Sequence, residues 1–509
     1  MAVALSAGLS TLYADSISSH PSLIIGITVD GLSIEQIDRL KSQFKSNGFN
    51  YFLNNGVTIT DLEFGTPLDA AAAEAVLQTG GSANINGVSG RCVYNPTTHR
   101  VLPLLNSDSP SAADENFSPT RLLSSTIGDE LKISTDGKSL IHSISPDASI
   151  AVISAGHTGN SAYWINDVSG KWTTSTFYPD KPSIVQNRNR MRPISAVLDT
   201  LKWSSSKETK GMGYFLRFPK NRKDRYIDYK ATPLVNVQIT DLAIDLLRNS
   251  DIGADEVPDM LSLSYTLQPF HRDPGVNYNE LLTEGYIELD KELARLMEVV
   301  EENTKLENTL IYLAGTPVTS RSPREHDRWR IPSGNFYPDR AISLLNLYLI
   351  NKFGNADWVR GYYDGYFYLN PLAISEHDTN SREVRLEAAA FLRRMAGVAG
   401  AYSVDDVVTG NVHGNGDAIA RNTRLDTVGD IKVDVLPGWH IVVSDLQEDS
   451  YNMVERSGNS TAPAFIVARD LEPEIIITPV DARCFAPTIS SLLRIRPPNG
   501  SSVPSLRLK

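Results

Sequence analysis

Residues 22–40 read SLIIGITVDGLSIEQIDRL, and their order decides the fold class. Residues 23–29 form a continuous apolar run, the pattern of a strand buried on both faces. The run stops at Asp30-Gly31, and a helix starts at once. Ser33 and Gln36 have capping-box spacing, and Ile34, Ile37 and Leu40 fall on one helical face. A buried strand, a tight loop and an amphipathic helix open a parallel α/β sheet, whose ligands collect at the carboxyl ends of the strands. Asp30 stands at that end. Its bland reading is a cap for the helix that begins near Ser33.

The alternation continues outward from this unit. Residues 68–78 read as an Ala-rich helix, 148–153 as a short apolar strand and 260–265 as another strand. Leu289, Leu293, Leu296 and Val300 mark an amphipathic helix, and the strand TLIYLA follows at 309–314. Residues 475–477 are a late strand, followed by a helix with Ile489, Leu492 and Leu493. There is no internal repeat and no low-complexity segment. The stretch 317–430 breaks the pattern. It is rich in Arg, Pro, Tyr and Asn, carries a helix over 382–395, and reads as an insertion capping the ligand edge of the sheet.

A chain of 509 residues with 41% hydrophobic content is long enough for one large α/β core with a cap. The net charge of -12 argues against nucleic acid as a partner, because phosphate binding needs clustered Lys and Arg. The basic run Arg217, Lys220, Arg222, Lys223, Arg225 and Lys230 is interleaved with Asp224 and Asp228, and reads as a solvated loop. Cys92 and Cys484 are the two cysteines. They form either one bridge or two buried thiols, the second reading being preferred. Residues 1–14 resemble the end of a signal peptide cleaved after Ala14, lacking the basic segment that would precede it. No later apolar stretch spans a bilayer. The expectation is therefore an exported, periplasmic protein with no transmembrane span.

Six stretches carry a family resemblance: LIIGITVDG (23–31), LQTGGSANINGV (77–88), AGHTGNSAYW (155–164), GKWTTSTFY (170–178), VGDIKVDVLPGWHI (428–441) and APTISSLLRIRPPNG (486–500). Together they resemble the alkaline phosphatase superfamily, in its branch of bacterial phosphate monoesterases and type I phosphodiesterase/nucleotide pyrophosphatases. The resemblance implies an α/β fold with a mostly parallel central sheet between helices. Residues 15–316 and 431–509 would be two parts of an alkaline phosphatase-like core, with 317–430 as the cap. Active members hold two zinc ions by Asp and His around a Thr or Ser nucleophile. Paired metals about 4 Å apart clamp the attacking and leaving oxygens of phosphoryl displacement.

Position by position, the resemblance implies a degraded site. Asp30 matches the first metal ligand and is kept. The nucleophile position falls on Ala70, with Thr66 the nearest upstream hydroxyl. An Asn that contacts the phosphoryl oxygen is replaced by Arg91, which either binds an anion or forms a salt bridge. The phosphate-binding Lys and Arg are replaced by Asp147 and Ser149. In the second metal cluster Leu267 stands at the Asp and His271 at the His. The Asp-His pair becomes Gly315 and Thr316, and the last His becomes Thr461. The remaining dense cluster, Glu325-His326-Asp327, lies in the cap among Arg residues and reads as a charge network.

Two readings follow. One is a catalytically inactive binding or scaffold protein of the cell envelope, with no cofactor expected. Its partner would be an acidic glycan, an acidic peptide or an envelope protein, held by Arg91 and by cap aromatics such as Trp329, Trp358, Tyr362, Tyr363 and Tyr366. The alternative is a metal-dependent phosphatase, phosphodiesterase or other hydrolase that uses zinc or non-standard residues of the same cleft, such as Arg91, Asp69 or Glu74.

Overall fold

The computed structural model describes residues 20–106, 116–179, 183–201, 203–204, 215–268, 278–318, 330, 334–412, 416–436, 439–442 and 460–509. The apolar runs become one ten-stranded sheet. In chain order its strands are β1 (Leu23–Asp30), β2 (Val57–Glu63), β3 (Ile141–Ile144), β4 (Ser161–Ile165), β5 (Trp172–Thr173), β6 (Asp259–Thr266), β7 (Thr309–Gly315), β8 (Thr461–Val467), β9 (Glu474–Ile476) and β10 (Val480–Asp481). Across the sheet the order is β9-β2-β8-β7-β1-β6-β3-β4-β5, with β10 continuing beside β2. β1 lies centrally, parallel to both β6 and β7. Only β5 and β8 run against the rest. Parallel strands with helices on both faces bury both sides, which is why these segments are continuously apolar rather than alternating.

The two faces of β1 feed two cores. Leu23, Ile25, Ile27 and Val29 pack with helices α1 (Ile34–Leu40), α5 (Asn236–Asn249) and α6 (Tyr278–Asn303). Ile24 joins the opposite core, built with α2 (Ala70–Thr79), α3 (Ile127–Ser134) and α7 (Phe485–Leu492). Ser33 is the N-cap of α1: its hydroxyl accepts from the Gln36 amide at 3.4 Å. Asp30 does not cap that helix, a correction with a simple cause. Two residues of loop separate it from Ser33, and its carboxylate turns across the sheet instead.

A second correction concerns residues 148–153, expected as a strand. They form α4 (Ala148–Ala155), because Asp147 accepts from the amides of Ser149 and Ile150 and so starts a helix. Every residue of α4 is buried, so its apolar pattern carries no helical period to read.

The insertion has its own core. Its strands Val359–Tyr363, Tyr366–Leu369, Ile431–Val435 and Val398–Ser403 make an antiparallel sheet, and helices Pro338–Phe353 and Ser381–Leu392 pack with it. Ile431–Val435, which follows the stretch 317–430, pairs in this sheet too. Trp358, Tyr362 and Phe367 fill that core rather than a surface. Tyr366 packs with Tyr94 and Tyr368 at the junction between cap and core. Trp329 lies outside the described residues. The basic run is also less solvated than expected: Arg225 and Lys230 are largely buried and paired with Asp199 and Asp167. Both cysteines are free and buried, with burial pushing each thiol up to about 12. No helix among the described residues is long and apolar enough to cross a membrane.

Candidate functional site

Four charged side chains gather where β1 ends and α2 begins. Asp30 closes β1. Asp69 caps α2, accepting from the Ala72 amide at 2.8 Å. Its other oxygen accepts from the Arg91 backbone amide at 2.6 Å, which ties the loop after the NGV turn to the start of α2. The Arg91 guanidinium meets Asp147 at 3.3 Å. Asp147 in turn caps α4. Burial works against the charged guanidinium, but Asp147, Asp69 and Asp30 outweigh it and hold Arg91 protonated.

Asp30 is braced from the sheet side. The hydroxyl of Thr316 donates to it at 2.6 Å and the side-chain amide of Gln268 at 2.9 Å, both to the same oxygen. Thr316 also accepts from the Gly31 amide at 3.3 Å, so its hydroxyl is used in both directions. Burial raises the pKa of Asp30. Thr316, Gln268 and Arg91 pull the other way, and Asp69 adds to the rise.

The positions expected to converge do so in part. Asp30, Arg91 and Asp147 share one charge cluster, and Ala70 follows Asp69 as the first residue of α2. Ser149 lies buried in α4, contributing its backbone amide to Asp147. Glu74, offered as a cleft residue, does not reach the cluster. It is buried inside α2, accepting from Gln78 and Ser154. Thr66 accepts from the Asn422 side chain of the cap at 2.7 Å. Thr461 starts β8, opposite Glu63 of β2. His271 and Glu325-His326-Asp327 lie outside the described residues. Gln268 was not foreseen. Its only signal was its place beside Leu267, at the end of a strand next to β1.

The donor set does not fit a binuclear zinc centre, which asks about three protein ligands per ion. Leu267 is wholly buried in the apolar core. Gly315 has no room for a carboxylate: a Cβ there would lie 2.8 Å from the Leu32 Cβ and 3.0 Å from the Ala462 Cβ. Thr316 spends its hydroxyl on Asp30. Among the described residues no three His, Cys, Asp or Glu side chains converge to hold a metal ion.

The AGHT segment is structural. His157 donates from one ring nitrogen to Asp129 at 3.1 Å and from the other to the Leu122 carbonyl at 2.9 Å. Thr158 donates twice to Asp129, which also completes the capping box of α3 with Thr126.

Sheet order and flanking helices define an α/β protein with a charged cluster at the carboxyl ends of parallel strands. The type I phosphodiesterase / nucleotide pyrophosphatase model matches residues 24–460, and the chain belongs to that family. It is 25% identical to a calcium-transporting ATPase of Myroides odoratus, over 94% of this chain and 93% of the other. It is 23% identical to alkaline phosphatase PafA of Elizabethkingia meningoseptica, over 95% and 93%. A crystal structure of wild-type PafA superposes with a TM-score of 0.80 at 21% identity, covering 96% of this chain and 98% of that one. The fold is thus alkaline phosphatase-like, as the sequence motifs implied.

Proposed function

We propose that this chain is a catalytically inactive, alkaline phosphatase-like binding or scaffold protein of the cell envelope, exported to the periplasm and holding no binuclear zinc. The supporting observation is the 3.3 Å ion pair between Arg91 and Asp147 beside Ala70. It pairs the two charge changes with each other at the place where the family would transfer phosphate. Alanine offers no nucleophile, and Arg91 already serves Asp147. An acidic glycan or peptide would have to compete with three carboxylates for one guanidinium.

The competing reading is a working phosphatase, and the names of PafA and of PhoV from Synechococcus elongatus favour it. One experiment decides. Purified protein is dialysed, its zinc measured, and a panel of aryl phosphate monoesters and diesters assayed with added zinc. The proposal expects no stoichiometric zinc and no turnover above background. Two retained zinc ions per chain, or turnover abolished by Asp30→Asn, would establish the second reading.

A further inference from the structure

We infer that a polar cavity between core and cap, on the β2 side of α2, is a binding site for one small oxyanion of phosphate or carboxylate type. The cavity measures about 90 Å³ and is walled by Glu63, Phe64, Gly65, Val76, Ser82, Arg421, Asp481, Ala482 and Arg483. That is room for a few waters or one small oxyanion.

Two donors line this space without a hydrogen bond from their side chains among the described residues. Ser82 is only 3% exposed, yet its hydroxyl does not cap the short helix that follows and makes no hydrogen bond among the described residues. Arg421, contributed by the cap helix Gly416–Arg421, forms no ion pair or side-chain hydrogen bond among the described residues. The second arginine is already committed. Arg483 grips Asp481 through Nε at 3.0 Å and Nη2 at 2.6 Å, so that carboxylate is neutralised within its own turn. Glu63 is exposed at the strand end, where solvent screens it. Arg421 acts on Asp481 only at a distance, so its planar guanidinium fork stays open to an oxyanion. A ligand bridging Ser82 and Arg421 would also tie the cap to the core.

The test uses the full chain in the presence of a chelator, with inorganic phosphate and, separately, acetate as probes in titration calorimetry. Saturable binding of at least one probe is expected. Arg421→Ala should weaken it at least tenfold and Ser82→Ala several-fold, while Arg91→Ala leaves it unchanged. A preference for phosphate or for acetate assigns the oxyanion class. If Arg421→Ala fails to fold by circular dichroism, Ser82→Ala carries the test. No saturable binding of either probe overturns the proposal. So does binding lost with Arg91→Ala and kept with Arg421→Ala, which would put the anion in the strand-end cluster. Neither result bears on zinc content or turnover, so the two proposals fail separately.

Discussion

Asp30 is a buried carboxylate held by donors from two neighbouring strand ends. Its carboxylate satisfies the Thr316 hydroxyl and the Gln268 amide. Asp30→Ala leaves the Thr316 hydroxyl without this acceptor, while the Gln268 amide keeps the Pro317 carbonyl at 3.2 Å, and should cost about 1–3 kcal/mol in chemical denaturation. Asp30→Asn keeps the acceptor oxygen and removes a buried charge. A carboxyl whose folded pKa is raised favours the folded state when protonated and loses that advantage as pH rises through the folded value. The Asn variant should therefore match or exceed the parent in thermal stability at neutral pH. A large loss at neutral pH would mean that the charge itself is needed. Gly315 makes the complementary case. Gly315→Asp would press a carboxylate between Leu32 and Ala462, costing about 1–3 kcal/mol in the same assay. It should bring no zinc with it.

Among the elements, the AGHT segment is the clearest example of a motif kept for packing. Gly156 has φ +68°, and a Cβ there would sit 2.5 Å from the Thr126 hydroxyl and 2.7 Å from Asp129. Gly156→Ala should lose more than about 1 kcal/mol through the left-handed backbone and this clash together. The histidine beside it makes stability depend on pH. Hydrogen bonding to Asp129 raises the pKa of His157 above its ordinary 6.5. That contribution is complete below the ordinary value and disappears as pH rises through the raised one. Burial would lift the Asp129 carboxyl, but the bonds from His157, Thr126 and Thr158 outweigh it and lower its pKa. The Asp129 contribution is present above the usual carboxylate value and fades as pH falls through the lowered one. Melting temperature should thus decline as pH rises above about 6.5, and His157→Ala should flatten that limb. An unchanged slope in the variant would assign the pH response elsewhere.

At the scale of the whole molecule, cap and core have separate cores joined by a few polar contacts. Tyr94 donates to the Arg360 carbonyl at 2.9 Å, Ser89 and Thr427 share a 2.7 Å bond, and Asn422 reaches Thr66. Tyr94→Phe alone should cost about 0.5–1.5 kcal/mol. Combined with Ser89→Ala, it should separate cap unfolding from core unfolding in calorimetry. A single transition in the double variant would show that the tyrosine cluster holds the two together by packing alone.

The sequence by itself determined the α/β class and the family. Those depend on local signals: apolar runs of strand length, Ser33 after Asp30-Gly31, and motifs that each fold within one loop. It also named Ala70, Arg91, Asp147 and Gly315 as positions to inspect, since identity at a position needs no coordinates. Only the tertiary structure decided what those residues do. α4 was misread because a helix buried all round shows no period. The place of Ile431–Val435 in the second sheet is not legible in the sequence, because it pairs with strands well before it in the chain. Asp30 found Thr316 and Gln268 across two neighbouring strands, and Arg91 found Asp147 across the chain. Such pairings are set by strand order and register, and adjacent residues in the sequence carry no record of either.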